Sequence, residues 1–138
     1  MKALVKNITT LAYSIDWLQT CCHCLTGYYM NHTMGTVCDS CPPRYFCVNK
    51  DRANPCPTGR YCPGNTGFDM KLCPRGTYGP TTMLESEAEC TQCDGGHYCE
   101  APGLDEPTGL CSAGYYCQYG VDTPAPSNNN TGFGGRYQ

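Results

Sequence analysis

The sequence predicts a small, disulfide-rich, irregular fold. It consists of two tandem six-cysteine modules of short β-hairpins and turns in an elongated rod, behind a short N-terminal helix or disordered leader. Three observations predict it. Fourteen of the 138 residues are cysteine, the density of a disulfide scaffold. Beyond Leu25 only ten residues are Leu, Ile, Val or Phe, too few to bury the apolar surface that would offset the entropy of an ordinary folded chain. From Cys24 onward, one cysteine-led hexapeptide recurs six times.

The overall composition supports this. The hydrophobic fraction of 40% overstates the core, because 14 Cys and 11 Tyr supply much of it. Tyrosine suits a thin fold, since its ring packs while its hydroxyl stays in water. Glycine and proline number 16 and 11, so turns dominate. The net charge of −3 is mild and no Lys/Arg run occurs, which argues against nucleic acid and anionic membrane as partners. This many cysteines in a reducing cytosol would need a metal or redox reason; in an oxidising compartment they need only each other. The expected location is extracellular, or a cell-surface ectodomain.

Residues 1–20 differ from the rest, with no Gly, Pro or Cys. Leu4, Ile8, Leu11, Ile15 and Leu18 recur at spacings of 4, 3, 4 and 3, one apolar stripe on a helix. Lys6, Asn7 and Asp16 interrupt the apolar centre that a signal peptide needs, and no uninterrupted run is long enough to span a membrane. The segment reads as an amphipathic helix or disordered leader, with no membrane insertion. The cysteines nevertheless call for secretion, so the chain reads as a fragment of a larger protein.

The hexapeptide is Cys-x-x-Gly-x-aromatic. Its copies are Cys24–Tyr29, Cys41–Phe46, Cys56–Tyr61, Cys73–Tyr78, Cys93–Tyr98 and Cys111–Tyr116. Glycine at the fourth place permits a left-handed turn, and only Arg44 breaks the pattern. Each copy predicts a tight turn leading into a short strand. In four copies a seventh-place cysteine follows: Cys47, Cys62, Cys99 and Cys117; Met30 and Gly79 take that place in the other two. The order is without, with, with, then the same again, so the period is three hexapeptides. Two repeats result, residues 21–72 and 73–121, of the kind that stack mainly on their neighbours. Residues 122–138 read as a linker and the truncated start of a further repeat. There Gly135-Arg136-Tyr137 resembles Gly59-Arg60-Tyr61, while Gly132 and Gln138 stand where its cysteines would be.

No catalytic motif emerges. His23, His32 and His97 sit in no catalytic spacing, and no nucleophile elbow, phosphate loop or zincin helix occurs. Asp105-Glu106 and Glu85, Glu87 and Glu89 read as solvated loop charges. Cys38-x-x-Cys41 and Cys90-x-x-Cys93 resemble zinc knuckles but lie too far apart for a zinc ribbon, and Cys21-Cys22-His23-Cys24 is a denser cluster. Neither metal nor cofactor is expected. Asn31 and Asn129 head sequons that fit a secreted chain; Asn7 heads a third, within the leader.

The pattern resembles the ephrin-receptor-like cysteine-rich repeats of large surface proteins. The resemblance covers residues 24–121 and rests on Cys73-Pro-Arg-Gly-Thr-Tyr78, Cys90-Thr-Gln-Cys93, Gly96-His-Tyr-Cys99 and Gly114-Tyr-Tyr-Cys117, with Cys38-Asp-Ser-Cys41 and Gly59-Arg-Tyr-Cys62 in the first unit. The spacing is also similar to that of tumour-necrosis-factor-receptor modules. Six cysteines allow 15 pairings. The receptor-like pairing implies Cys24–Cys38, Cys41–Cys56 and Cys47–Cys62, then Cys73–Cys90, Cys93–Cys111 and Cys99–Cys117. The gap of five residues between the third and fourth cysteines is longer than in those receptors, which bears on the crossed pairs more than on the first. Cys21 and Cys22 stand outside both sets, to pair with upstream cysteines or with each other.

The expected function is an extracellular structural or adhesive repeat segment without catalysis. Its partners are neighbouring repeats of the parent chain and a protein or glycan ligand. The alternatives are a ligand-binding receptor ectodomain, with Tyr45, Tyr61, Tyr98 and Tyr115 as exposed anchors, and an intracellular zinc-binding protein.

Overall fold

The structure, a computed structural model, describes residues 13–14, 23–31, 37–48, 52–127 and 134–136. The apolar stripe from Leu4 to Leu18, Cys21, Cys22, His32, Asn7 and Asn129 lie outside the described residues. Within the leader, Tyr13–Ser14 forms a strand rather than part of a helix.

Hairpins follow one another along the chain, each an antiparallel two-stranded sheet. β1 (Tyr13–Ser14) pairs with β2 (His23–Cys24), and β3 (Tyr28–Asn31) with β4 (Val37–Ser40). β5 (Tyr45–Phe46) pairs with β6 (Asn54–Pro55), and β7 (Arg60–Tyr61) with β8 (Lys71–Leu72). β9 (Thr77–Tyr78) pairs with β10 (Thr91–Gln92), β11 (His97–Tyr98) with β12 (Gly109–Leu110), and β13 (Tyr115–Cys117) with β14 (Gly134–Arg136). A single 3-10 turn, Glu87–Glu89, is the only helical element among the described residues.

The register explains why the hexapeptide makes hairpins. Its fifth and sixth residues open a strand. The two residues before the next cysteine close it, so Arg60 faces Leu72 and Tyr61 faces Lys71. The last hairpin obeys the same rule, with Tyr115 opposite Arg136. Gly134–Arg136 is therefore a return strand. This corrects the expectation that Gly135 and Arg136 begin the turn of a seventh hexapeptide.

Successive turns are joined by one repeating set of backbone hydrogen bonds. The fourth-place carbonyl accepts from the next unit's first cysteine: Cys41, Cys56, Cys73, Cys93 and Cys111 donate to Gly27, Arg44, Gly59, Gly76 and Gly96 at 2.8–3.0 Å. The fourth-place N–H donates to the next unit's seventh residue, so Gly27, Arg44, Gly59, Gly76 and Gly96 reach Cys47, Cys62, Gly79, Cys99 and Cys117 at 2.8–2.9 Å. The set runs unchanged through Leu72 and Cys73. The backbone thus repeats once per hexapeptide, while the three-hexapeptide period belongs to the cysteines alone.

The core is sulfur. Among the described residues, the only buried apolar side chains other than cysteine are Leu84, Val121 and Pro126. No helix is long and apolar enough to cross a membrane.

Candidate functional site

The feature that organises the molecule is the stacked cysteine turn, and its geometry follows from two left-handed backbone sites per unit. The first is the hexapeptide's fourth place. Gly27, Gly59, Gly76, Gly96 and Gly114 have φ between 72° and 86°, and Arg44 adopts the same conformation at φ 75°. The second site follows four of the seventh places by three or four residues among the described residues: Asn65, Met83, Gly103 and Gly120, at φ 64° to 78°. Together these ten are all the positive-φ residues described.

The second site is a cap that ties a turn to the one before it. Asn65, Met83, Gly103 and Gly120 donate their N–H groups to the carbonyls of Cys41, Cys56, Cys73 and Cys93 at 2.8–2.9 Å. The residue after each cap closes the turn. The carbonyls of Thr66, Leu84, Leu104 and Val121 accept from the seventh-place N–H groups of Cys47, Cys62, Gly79 and Cys99. Three of these residues, Thr66, Leu84 and Val121, are buried. The Thr66 hydroxyl donates to the Pro63 carbonyl, so its burial leaves no bare donor.

Caps also reach the turn two units back. A Cβ on Gly27, Gly59 or Gly76 would overlap the carbonyl oxygen of Asn65, Gly103 or Gly120. Arg44 solves the same approach differently: its guanidinium donates to the Met83 carbonyl at 2.9 Å. The guanidinium also pairs with both Glu89 oxygens, at 2.7 and 3.3 Å, and lies 3.3 Å from Glu85. The Glu85 N–H donates to Glu89 at 2.7 Å. That backbone bond, followed by Arg44, holds the Glu89 carboxyl below its ordinary range. Glu85 and Glu89 therefore form a clasp instead of standing as free loop charges. Glu87 accepts from the Tyr61 hydroxyl at 3.5 Å, and Asp105 and Glu106 are exposed.

The left-handed turn also fixes the disulfides. It brings the first and seventh residues of a hexapeptide together, with Cα–Cα separations of 5.8 to 6.2 Å, within bridging range. The bridges are Cys41–Cys47, Cys56–Cys62, Cys93–Cys99 and Cys111–Cys117. These replace the crossed pairs Cys41–Cys56, Cys47–Cys62, Cys93–Cys111 and Cys99–Cys117 that the receptor-like pairing implied. Where Met30 or Gly79 holds the seventh place, the first cysteine bridges to the return strand, giving Cys24–Cys38 and Cys73–Cys90 as expected. Each Cys-x-x-Cys is thus the junction of two bridges, and neither holds a free thiol for zinc. Among the described residues no group of three or more His, Cys, Asp or Glu is arranged to hold a metal ion.

The remaining candidates are dispersed. Tyr45, Tyr61, Tyr98 and Tyr115 are half-buried, not exposed anchors; Tyr115 lies beneath Arg136, 6.0 Å from ring centre to guanidinium. The well-exposed large apolar side chains include Phe68, Leu110 and Tyr119. His97 faces Leu110 across β11 and β12, and its Nδ1 is buried without a hydrogen-bond partner. The Tyr78 hydroxyl donates to Asp94 at 3.0 Å; burial first and then Asp94 keep that phenol protonated to higher pH. Asn31 ends β3, half-buried, and its amide Nδ2 donates to Asp39 at 2.6 Å.

Sequence reasoning found the first left-handed site through its glycines. It missed the cap, although Asn65, Gly103 and Gly120 are turn formers placed shortly after a cysteine. Met83 carries no such signal. No protein-family model matches the chain, and no curated protein matches it.

Proposed function

We propose that this chain is an extracellular structural or adhesive repeat segment of a larger surface or secreted protein, acting without catalysis. The observation that carries the reading is that six disulfides and a recurring backbone ladder do the work of a hydrophobic core. Bridges in this number form and persist in an oxidising compartment. A ladder linking each turn to the next suits a scaffold that holds its surface in place under proteolysis. The resemblance to ephrin-receptor-like repeats in the hexapeptide and the Cys-x-x-Cys junctions supports the same reading. The receptor-ectodomain alternative ranks second, because the tyrosines it relies on are half-buried in their own hairpins.

The test is expression of the full chain in a secretory compartment and, separately, in a reducing cytosol, with thiol alkylation before and after reduction and a zinc assay. The expected result is that the secreted form protects twelve cysteines until reduction, carries no stoichiometric zinc and resists protease. Free thiols in the secreted form, or zinc bound one-to-one in the cytosolic form, would overturn the proposal.

A further inference from the structure

The cap-to-glycine approach is an established internal interface, and it is left open at one end of the molecule. Gly27, Gly59 and Gly76 are buried, each against the cap that follows the unit two places on. Arg44 meets Met83 in the same relation. Gly96 and Gly114 hold the same left-handed conformation, at φ 85° and 86°, but both are exposed and a Cβ on either would meet none of the described residues within 4 Å. Gly96 retains its ladder bonds to Cys117 and Cys111. What the two lack is the cap of a seventh and an eighth unit.

We infer that the Gly96–Gly114 face is a docking surface for further cysteine turns of this design, following β14 in the same polypeptide. This rests on the reading of the chain as a repeat segment. Two observations select that occupant. The face continues the groove that four caps already fill, so it fits a left-handed cap residue with its backbone N–H aimed at a cysteine carbonyl. The register of β14 also brings the chain to the position that Cys41, Cys56, Cys73, Cys93 and Cys111 hold after their return strands, a position that Tyr137 takes in this sequence. A second copy docking by its first turn is disfavoured, because the Cys24 edge is already paired with Tyr13. Glycine at 96 and 114 then has a steric role beyond its backbone conformation.

The experiment appends a second copy of residues 93–122 directly after Arg136 of the full chain. That graft carries two complete turns, their bridges and the caps Gly103 and Gly120. Amide exchange at Gly114 is compared with and without the graft, alongside Gly96→Ala and Gly114→Ala in both backgrounds. The expected result is at least tenfold slower exchange at Gly114 with the graft and no change at Gly27. Each alanine should also depress the melting temperature several degrees more in the extended chain than in the parent. Unchanged exchange with equal alanine effects overturns the inference, and so does a graft whose cysteines remain reduced beside six intact native bridges. Concentration-dependent protection of Gly114 in the parent chain would name a second copy as occupant and overturn it too. Free thiols among the native bridges would instead mark failure of the repeat reading itself.

Discussion

Replacing Gly59 by alanine should be far more damaging than the same change at Gly96, although the two hold equivalent places in the hexapeptide. Both have positive φ, 72° and 85°, so both pay about 1–2 kcal/mol for putting a Cβ in the left-handed region. Both also gain from the reduced entropy of the unfolded chain, an equal term that cancels in the comparison. The difference lies in the neighbours. A Cβ at 59 overlaps the Gly103 carbonyl oxygen and comes within 2.8 Å of its carbon, and these are backbone atoms that no rotamer change can move aside. Relieving the overlap pulls the turn from its cap and loosens the bonds Gly59 makes with Gly79 and Cys73, at 2.9 and 3.0 Å. At about 1 kcal/mol for each bond, the added cost is about 2 kcal/mol, roughly a thirtyfold shift in the folding equilibrium. Equilibrium urea unfolding of the oxidised variants, followed by tyrosine fluorescence, measures it. Equal destabilisation of the two variants, or a larger loss at Gly96, would refute the cap-to-glycine packing.

Further outcomes follow from the clasp, the closing residues and the bridges. Arg44→Ala should melt below Arg44→Gly in a thermal scan, because both lose the Glu89 pair but only alanine keeps a Cβ in the left-handed site. The depressed Glu89 carboxyl lends stability that is present above its unfolded pKa and lost as pH falls through its folded value. The melting temperature should therefore drop on acidification from pH 5 to pH 3, and Glu89→Gln should flatten that drop. Leu84→Ala removes a buried aliphatic side chain and should cost about 2–3 kcal/mol in urea unfolding. Under limiting reductant, Cys24–Cys38, Cys73–Cys90 and Cys111–Cys117, each with a half-buried sulfur residue, should open before Cys41–Cys47, Cys56–Cys62 and Cys93–Cys99. Timed alkylation and mass mapping read that order.

Much of this design is visible in the residues, because the hexapeptide states its own turn. Glycine in the fourth place and an aromatic in the sixth were enough to place the hairpins between Tyr28 and Tyr116. The long bridges Cys24–Cys38 and Cys73–Cys90 came from the resemblance, and the missing seventh-place cysteine after Cys24 and Cys73 is the local signal that agrees with them. The short bridges were obscured by analogy. The constant separation of six from Cys41 to Cys47 and from Cys93 to Cys99 is a local signal that the receptor-like pairing overrode. The Cys41–Phe46 copy predicts its turn without its glycine, but how Arg44 is held at positive φ shows only through its distant partners Met83, Glu85 and Glu89. Met83 is harder still, because nothing in its type marks a cap. Its conformation is set by the Cys56 carbonyl it bonds and by the approach of Arg44, contacts made 27 and 39 residues away in sequence.

The local pairing of two cysteine turns, Cys41–Cys47 and Cys56–Cys62, can be tested in one digest. Protein secreted through an oxidising compartment is unfolded in urea without reductant, cut with trypsin and mapped by mass. Cleavage after Arg44, Lys50, Arg52, Arg60 and Lys71 separates the four relevant cysteines onto residues 7–44, 45–50, 53–60 and 61–71. The expected products join 7–44 to 45–50 through Cys41–Cys47, and 53–60 to 61–71 through Cys56–Cys62. Products joining 7–44 to 53–60 and 45–50 to 61–71 would reinstate the crossed pairs and contradict the stacked-turn architecture.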